Sequence, residues 1–162
     1  MKHTISVLVE NEFGVLARVS GMFSAKGYNI DSLSVSETLD PTVSRMTIET
    51  HGEDRIIEQI IKNLNRLVNV LKVQDLTELA HVERELVLIK IGLNAGIQAA
   101  IDKVVQTHKG EIVDKTPHSY VLEFVGDAAK IKSVLESLQP IGMTEIVRTG
   151  KIGLLRGAEA LK

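Results

Sequence analysis

The chain has 162 residues, 44% of them hydrophobic and 25% charged, with a formal net charge of −2. That is apolar material enough for one domain or two small ones, without the basic excess of a general nucleic-acid or membrane-surface protein. The absence of cysteine excludes disulfides, thiolate metal sites and a cysteine nucleophile, and fits a reducing, cytoplasmic setting.

The N-terminus leads straight into an alternating strand rather than a signal peptide, and no apolar run is long enough to span a bilayer. Residues 3–10 read as that strand, with Ile5, Val7 and Val9 on one face. Next comes Asn11-Glu12-Phe13-Gly14-Val15-Leu16, where a strand pattern gives way to a helix pattern. Asn11 can cap the helix and offer an amide to a ligand. Gly14 lets a ligand approach the backbone, and the first helical N–H groups have no intrahelical partner. The hexapeptide is suited to a small carboxylate, though an ordinary strand-to-helix turn needs the same residue types.

The helix of residues 15–26 carries Val15, Val19, Met22 and Phe23 as its stripe and stops at Gly27. Residues 29–38 form a strand in which Leu33 and Val35 alternate with serines, and Asp40-Pro41 makes a turn. Residues 44–50 form the next strand. Ile56, Ile57, Ile60, Ile61 and Leu64 stripe a second helix. Residues 68–73 close the half as a strand whose apolar phase slips between Val70 and Leu71, the mark of a bulge.

The same order recurs from Val82: a strand over 86–93, a helix over 97–108 stopped by Gly110, strands over 111–116 and 119–125, a helix striped by Ile131, Val134, Leu135 and Leu138, and a strand over 143–148. Each half is β-α-β-β-α-β, the split βαβ arrangement. The fold class is α+β: two ferredoxin-like domains, residues 1–76 and 82–162, joined by a linker over 77–81. The second half has Asn94-Ala95-Gly96 where the first has Asn11 to Gly14. Leu86, Val87, Leu88, Ile89 and Ile91 make the strand that opens the second half apolar on both faces. That suggests a cover from another half or another chain, or only strand propensity in a short run.

Catalytic chemistry has no residues to rest on. His3, His51, His81, His108 and His118 lack ligand-like spacing, and nucleophile-elbow, P-loop and dinucleotide motifs are absent. Aromatic residues total 3%, too few to furnish a base-stacking sheet, so nucleic acid is not an expected partner. A ligand-sensing or interaction module remains.

Asn11-x-x-Gly14-Val15-Leu16-Ala17-Arg18-Val19, followed by Gly27-Tyr28-Asn29-Ile30, resembles the signature of an ACT domain. Ser44-Arg45-Met46-Thr47-Ile48, His81-Val82-Glu83-Arg84-Glu85-Leu86 and Gly153-Leu154-x-Arg156-Gly157 resemble one branch of that family, the small regulatory subunit of acetolactate (acetohydroxyacid) synthase. The resemblance covers essentially the whole chain. It implies a non-catalytic subunit of branched-chain amino-acid biosynthesis. Such a subunit activates a large subunit carrying thiamine diphosphate, magnesium and FAD, and lets valine inhibit it. It implies ACT domains paired edge to edge in a homodimer with the effector at their interface. By motif, the effector contacts are Asn11, Gly14, Val15 and Leu16 from the first loop, with Asn29 and Ile30 from the next strand. The expected contacts set the effector carboxylate against the N–H groups of Gly14 and Val15, and its side chain between Leu16 and Ile30. Phe13 stands where relatives usually carry a small, polar or proline residue. The alternative is a free-standing ACT sensor of amino acids acting on a different partner.

Overall fold

The computed structural model describes every residue except Ala95, Glu159 and Lys162. The chain forms two compact units, residues 1–82 with 151–162, and residues 83–150.

The first unit contains β1 (Lys2–Glu10), α1 (Val15–Ala25), β2 (Ser32–Glu37), β3 (Val43–His51), α2 (Asp54–Leu64) and β4 (Val70–Asp75). Its sheet runs β2-β3-β1-β4, antiparallel throughout. Alternation decides the faces: Ile5, Val7, Val9, Met46 and Ile48 point one way and meet Val15, Val19, Phe23, Ile57, Ile60 and Leu64 from the two helices. Each such fully buried aliphatic side chain contributes about 1.5–3 kcal/mol. The bulge read from the phase slip is present. Leu8 pairs with Lys72 and Val9 with Val70, which leaves Leu71 as the extra residue.

The opposite face of this sheet is polar yet covered. Ser6, Thr47 and Glu49 are buried there. The half-buried Arg45 donates to Ser6 Oγ at 3.0 Å and to the Gly153 carbonyl at 3.1 Å, and its burial lowers its pKa. Glu49 takes Lys151 at 2.9 Å and Lys2 at 3.5 Å. Residues 151–162, expected with the second domain, therefore lie with the first. They carry strand β9 (Ile152–Leu155), and the Arg156 amide donates to the Ala80 carbonyl at 2.9 Å. Gly153 is required there, because a Cβ would meet Leu76 Cδ1 at 2.7 Å. The expected linker is a tight turn: Asp75 Oδ1 accepts from the Thr77 amide at 2.9 Å and hydroxyl at 2.6 Å.

The second unit holds β5 (His81–Gly92, from Glu83), α3 (Gln98–Thr107), β6 (Glu111–Lys115), β7 (Ser119–Gly126), α4 (Ala128–Leu138) and β8 (Glu145–Arg148), in the order β6-β7-β5-β8. Val87, Ile89 and Ile91 are fully buried against Ile101, Ile131, Val134 and Leu138. Leu86 and Leu88, on the face away from the helices, are half-buried. The left-handed residue that ends α3 is Lys109 (φ 51). No helix among the described residues is long and apolar enough to cross a membrane.

Candidate functional site

The loop between β1 and α1 is fastened from two sides. On one side Asn11 donates twice to the β2–β3 turn, from its amide to the Thr42 carbonyl at 2.7 Å and from Nδ2 to the Pro41 carbonyl at 2.8 Å. That turn is itself closed by Asp40, whose Oδ1 accepts from the Thr42 amide and hydroxyl at 2.9 and 2.7 Å. These bonds hold the Asp40 carboxyl below its usual pKa. On the other side the Glu10 amide donates to the Asn69 carbonyl at 2.9 Å.

Asn11 therefore does not cap α1, as its type had suggested. The N-cap is Gly14, in the left-handed region at φ 82 and with no side-chain cap. The reason is geometric: Asn11 stands three residues before the N-cap, and its Nδ2 is committed to the neighbouring turn. Its Oδ1 remains as an acceptor. A Cβ built on Gly14 meets nothing within 4 Å, so the glycine answers to backbone conformation and not to crowding.

The Val15 amide, expected to face a carboxylate, already donates to the Glu12 carbonyl at 3.3 Å. The amides of Gly14, Leu16 and Ala17 donate to no acceptor among the described residues. This cluster of open donors at a helix N-terminus attracts a small anion. Val15 is buried in the core, Leu16 is partly exposed, and Phe13 is fully exposed, its ring pointing away from the chain.

The second arm lies elsewhere. Asn29 is exposed, and Ile30 is half-buried against the core. The Asn29 carbonyl accepts from Thr50 Oγ1 at 2.6 Å, and its Nδ2 donates to Asp31 Oδ1 at 2.6 Å. Asp31 also accepts from His51 Nδ1 at 2.8 Å. The His51 hydrogen bond leads the causes that hold the Asp31 carboxyl below its ordinary value. With Nδ2 committed to a carboxylate, Asn29 presents Oδ1 outward as an acceptor.

Strand register separates the two arms. Both Thr4 and Ser32 pair with Glu49, while Glu10 pairs with Val43. The start of β2 is thus level with the start of β1, and Asn29 precedes it. Six residues of strand, about 20 Å, divide that level from the end of β1 where Asn11 begins. Within one chain Asn11, Gly14, Val15 and Leu16 come together, Asn29 and Ile30 come together, and the two groups stand at opposite ends of the sheet. The β-α-β order carried this signal, because a crossover helix makes β1 and β2 run the same way. Asn69 and Asp31, which hold the two arms, had no such signal: each is one polar residue in a turn.

Comparison with known proteins places the chain. Residues 5–72 match the family described as the AHAS small subunit-like ACT domain, and residues 84–157 match the family described as the small subunit of acetolactate synthase. The chain is 46% identical to the acetolactate synthase small subunit of Aquifex aeolicus over 96% of this chain and 81% of that protein. It is 42% identical to the acetolactate synthase isozyme 3 small subunit of Escherichia coli over all of both chains. The crystal structure of the acetolactate synthase small subunit from Thermotoga maritima superposes with a TM-score of 0.88 at 34% identity, covering 98% of this chain and 99% of that one. The chain therefore belongs to the acetolactate synthase small subunits, and its first unit is their ACT domain.

Proposed function

We propose that this chain is a regulatory subunit that raises the activity of an acetolactate synthase large subunit and makes it sensitive to valine, bound between the ACT domains of two copies. One observation carries the reading. The two halves of the expected site lie at opposite ends of one sheet, so one chain cannot close both on a molecule as small as an amino acid. Two chains related by a two-fold axis, with β2 set antiparallel to β2, bring the Asn11–Leu16 loop of one beside Asn29 and Ile30 of the other. β2 is an edge strand, Ser32-Leu33-Ser34-Val35-Ser36-Glu37, without proline or lysine to block it.

In that arrangement the effector's carboxylate meets the open amides of Gly14, Leu16 and Ala17, reinforced by the helix dipole. Its ammonium meets Asn29 Oδ1 and Asn11 Oδ1. Leu16 and Ile30 take the aliphatic side chain, and an outward Phe13 leaves room for it. The large subunit holds the thiamine diphosphate, magnesium and FAD, and this chain contributes stability and control. The test is reconstitution: the full chain is mixed with an acetolactate synthase large subunit and L-valine is titrated. The expected result is a rise in acetolactate formation on mixing and its suppression by valine. A large subunit indifferent to this chain would overturn the reading in favour of a sensor with another partner.

A further inference from the structure

Asn69, in the turn between α2 and β4, is a buried side chain that the effector contacts leave unused. Its Nδ2 donates to Glu10 Oε2 at 2.5 Å and more distantly to Glu12 Oε2 at 3.4 Å, and its Oδ1 accepts from Arg18 Nη1. One amide thus touches the last residue of β1, a residue inside the loop, and the first turn of α1. It bridges one guanidinium and two carboxylates. We propose that Asn69 and Arg18 form a clamp that sets the spacing between the end of β1 and the first turn of α1, and so positions the amides of Gly14, Leu16 and Ala17 for the effector. The proposal rests on the reading of that loop as the effector site.

The chemistry supports positioning rather than contact. Both donor directions of the Asn69 amide face carboxylates, its oxygen faces Arg18, and the side chain is buried, so its bonds are spent within the fold. Arg18 leaves the helix immediately after the open amides and is drawn to the α2–β4 turn. Without an acceptor at position 69, the first turn loses its tie on that side. The loop keeps the Asn11 bonds to Pro41 and Thr42 and the main-chain bond from the Glu10 amide to the residue 69 carbonyl, none of which reaches α1. Hydrogen bonds to a charged group are among the stronger ones, so a single lost acceptor matters here.

The test compares Asn69→Ala with Asn69→Asp in the reconstituted enzyme. Asn69→Ala removes the acceptor and is expected to raise the half-inhibiting L-valine concentration roughly five- to tenfold. Maximal activation without valine should stay within about twofold, since a buried Asn69 offers little surface to a partner. Asn69→Asp keeps an acceptor for Arg18 but sets a carboxylate oxygen against Glu10 and Glu12. It loses the tie to β1 and is expected to raise the half-inhibiting concentration at least as far as Asn69→Ala. Arg18→Ala should match Asn69→Ala, and the double variant should add little, as two ends of one tie do. Unchanged inhibition in Asn69→Ala overturns the clamp, as does an Asn69→Asp inhibited like the parent. Parallel loss of inhibition, activation and thermal stability also overturns it, leaving a role in the fold alone. Gly14→Asp separates the two levels. If it relieves inhibition where Asn69→Ala does not, only the clamp falls; if it leaves the curve unchanged, the site and the clamp fall together.

Discussion

The turn into α1 and the turn into α3 occupy the same place in their units, and they are built differently. Each receives a backbone bond from its hairpin turn: the Asn11 amide donates to Thr42 and the Leu93 amide to His118, at 2.7 and 2.8 Å. Each contains a left-handed glycine, Gly14 at φ 82 and Gly96 at φ 94, with open space where a Cβ would stand. The first turn adds Asn11 Nδ2 to Pro41 and the Asn69 bridge. In the second, Ile97 is the N-cap and packs on the core, Gln98 donates to Tyr120 at 2.5 Å, and Asn94 makes no side-chain hydrogen bond among the described residues. The edges differ in the same sense. β2 pairs in unbroken register with β3, whereas β6 shifts register between Ile112 and Asp114 and carries three charges in five residues. The lesson is that a repeated fold keeps its core and specialises at its turns and edges.

The strongest way to break this comparison is a matched pair of substitutions, Gly14→Asp and Gly96→Asp. Both place a side chain at positive φ, so both should lower thermal stability by a few degrees, for a strain of about 1 kcal/mol. Only Gly14→Asp sets a negative charge beside the effector's carboxylate. At about 4 Å and an effective dielectric of about 20 the repulsion is about 4 kcal/mol. Screening reduces this to one or two decades of affinity. Acetolactate formation against valine concentration should show that shift for Gly14→Asp and none for Gly96→Asp. Equal shifts would deny the first turn its special role.

A smaller effect should follow from charging the edges. Val35→Lys puts an ammonium on β2, and Val113→Lys puts one on β6, where the bulge already interrupts pairing. Sedimentation over micromolar concentrations should show dimer dissociation strengthened at least tenfold by Val35→Lys and unaffected by Val113→Lys.

The smallest effect concerns Asp31, which fixes the Asn29 amide. Its folded pKa is lowered from 3.8, chiefly by the His51 hydrogen bond. A depressed carboxyl contributes stability that is present above the unfolded pKa and lost as pH falls through the folded one. Asp31→Asn should therefore melt slightly below the parent at pH 5, by at most about 1 kcal/mol for so solvent-accessible a pair. The gap should close as pH drops below about 3.8. A gap that persists at the lowest pH would assign the loss to packing instead of charge.

Much of this was legible beforehand. Apolar periods of two and 3.6 ordered twelve elements, and the slip at Val70-Leu71 located a bulge. Gly14 marked the strand-to-helix turn, where it stands at φ 82 as the N-cap of α1. What was not legible depends on contacts remote in sequence. Asn11 looked like a cap because its type favours capping, but Pro41, thirty residues on, takes its amide. Residues 151–162 follow the second unit in sequence, and contacts with Leu76, Arg45, Glu49 and Ala80 reveal where they belong.

That last arrangement bears on how the chain is made. The second unit is one continuous stretch inserted between residue 82 and residue 151 of the first. During synthesis, which runs from the N-terminus, the inserted unit has all its residues as soon as 150 has emerged. The first unit has its sheet and helices long before, yet the polar back of that sheet waits. Arg45 and Glu49 lack the Gly153 carbonyl and Lys151 until the ribosome has passed them. The part of the molecule translated first is therefore the last to be completed. A chain stopped before residue 151 leaves a buried-type carboxylate and guanidinium short of partners in the ACT domain.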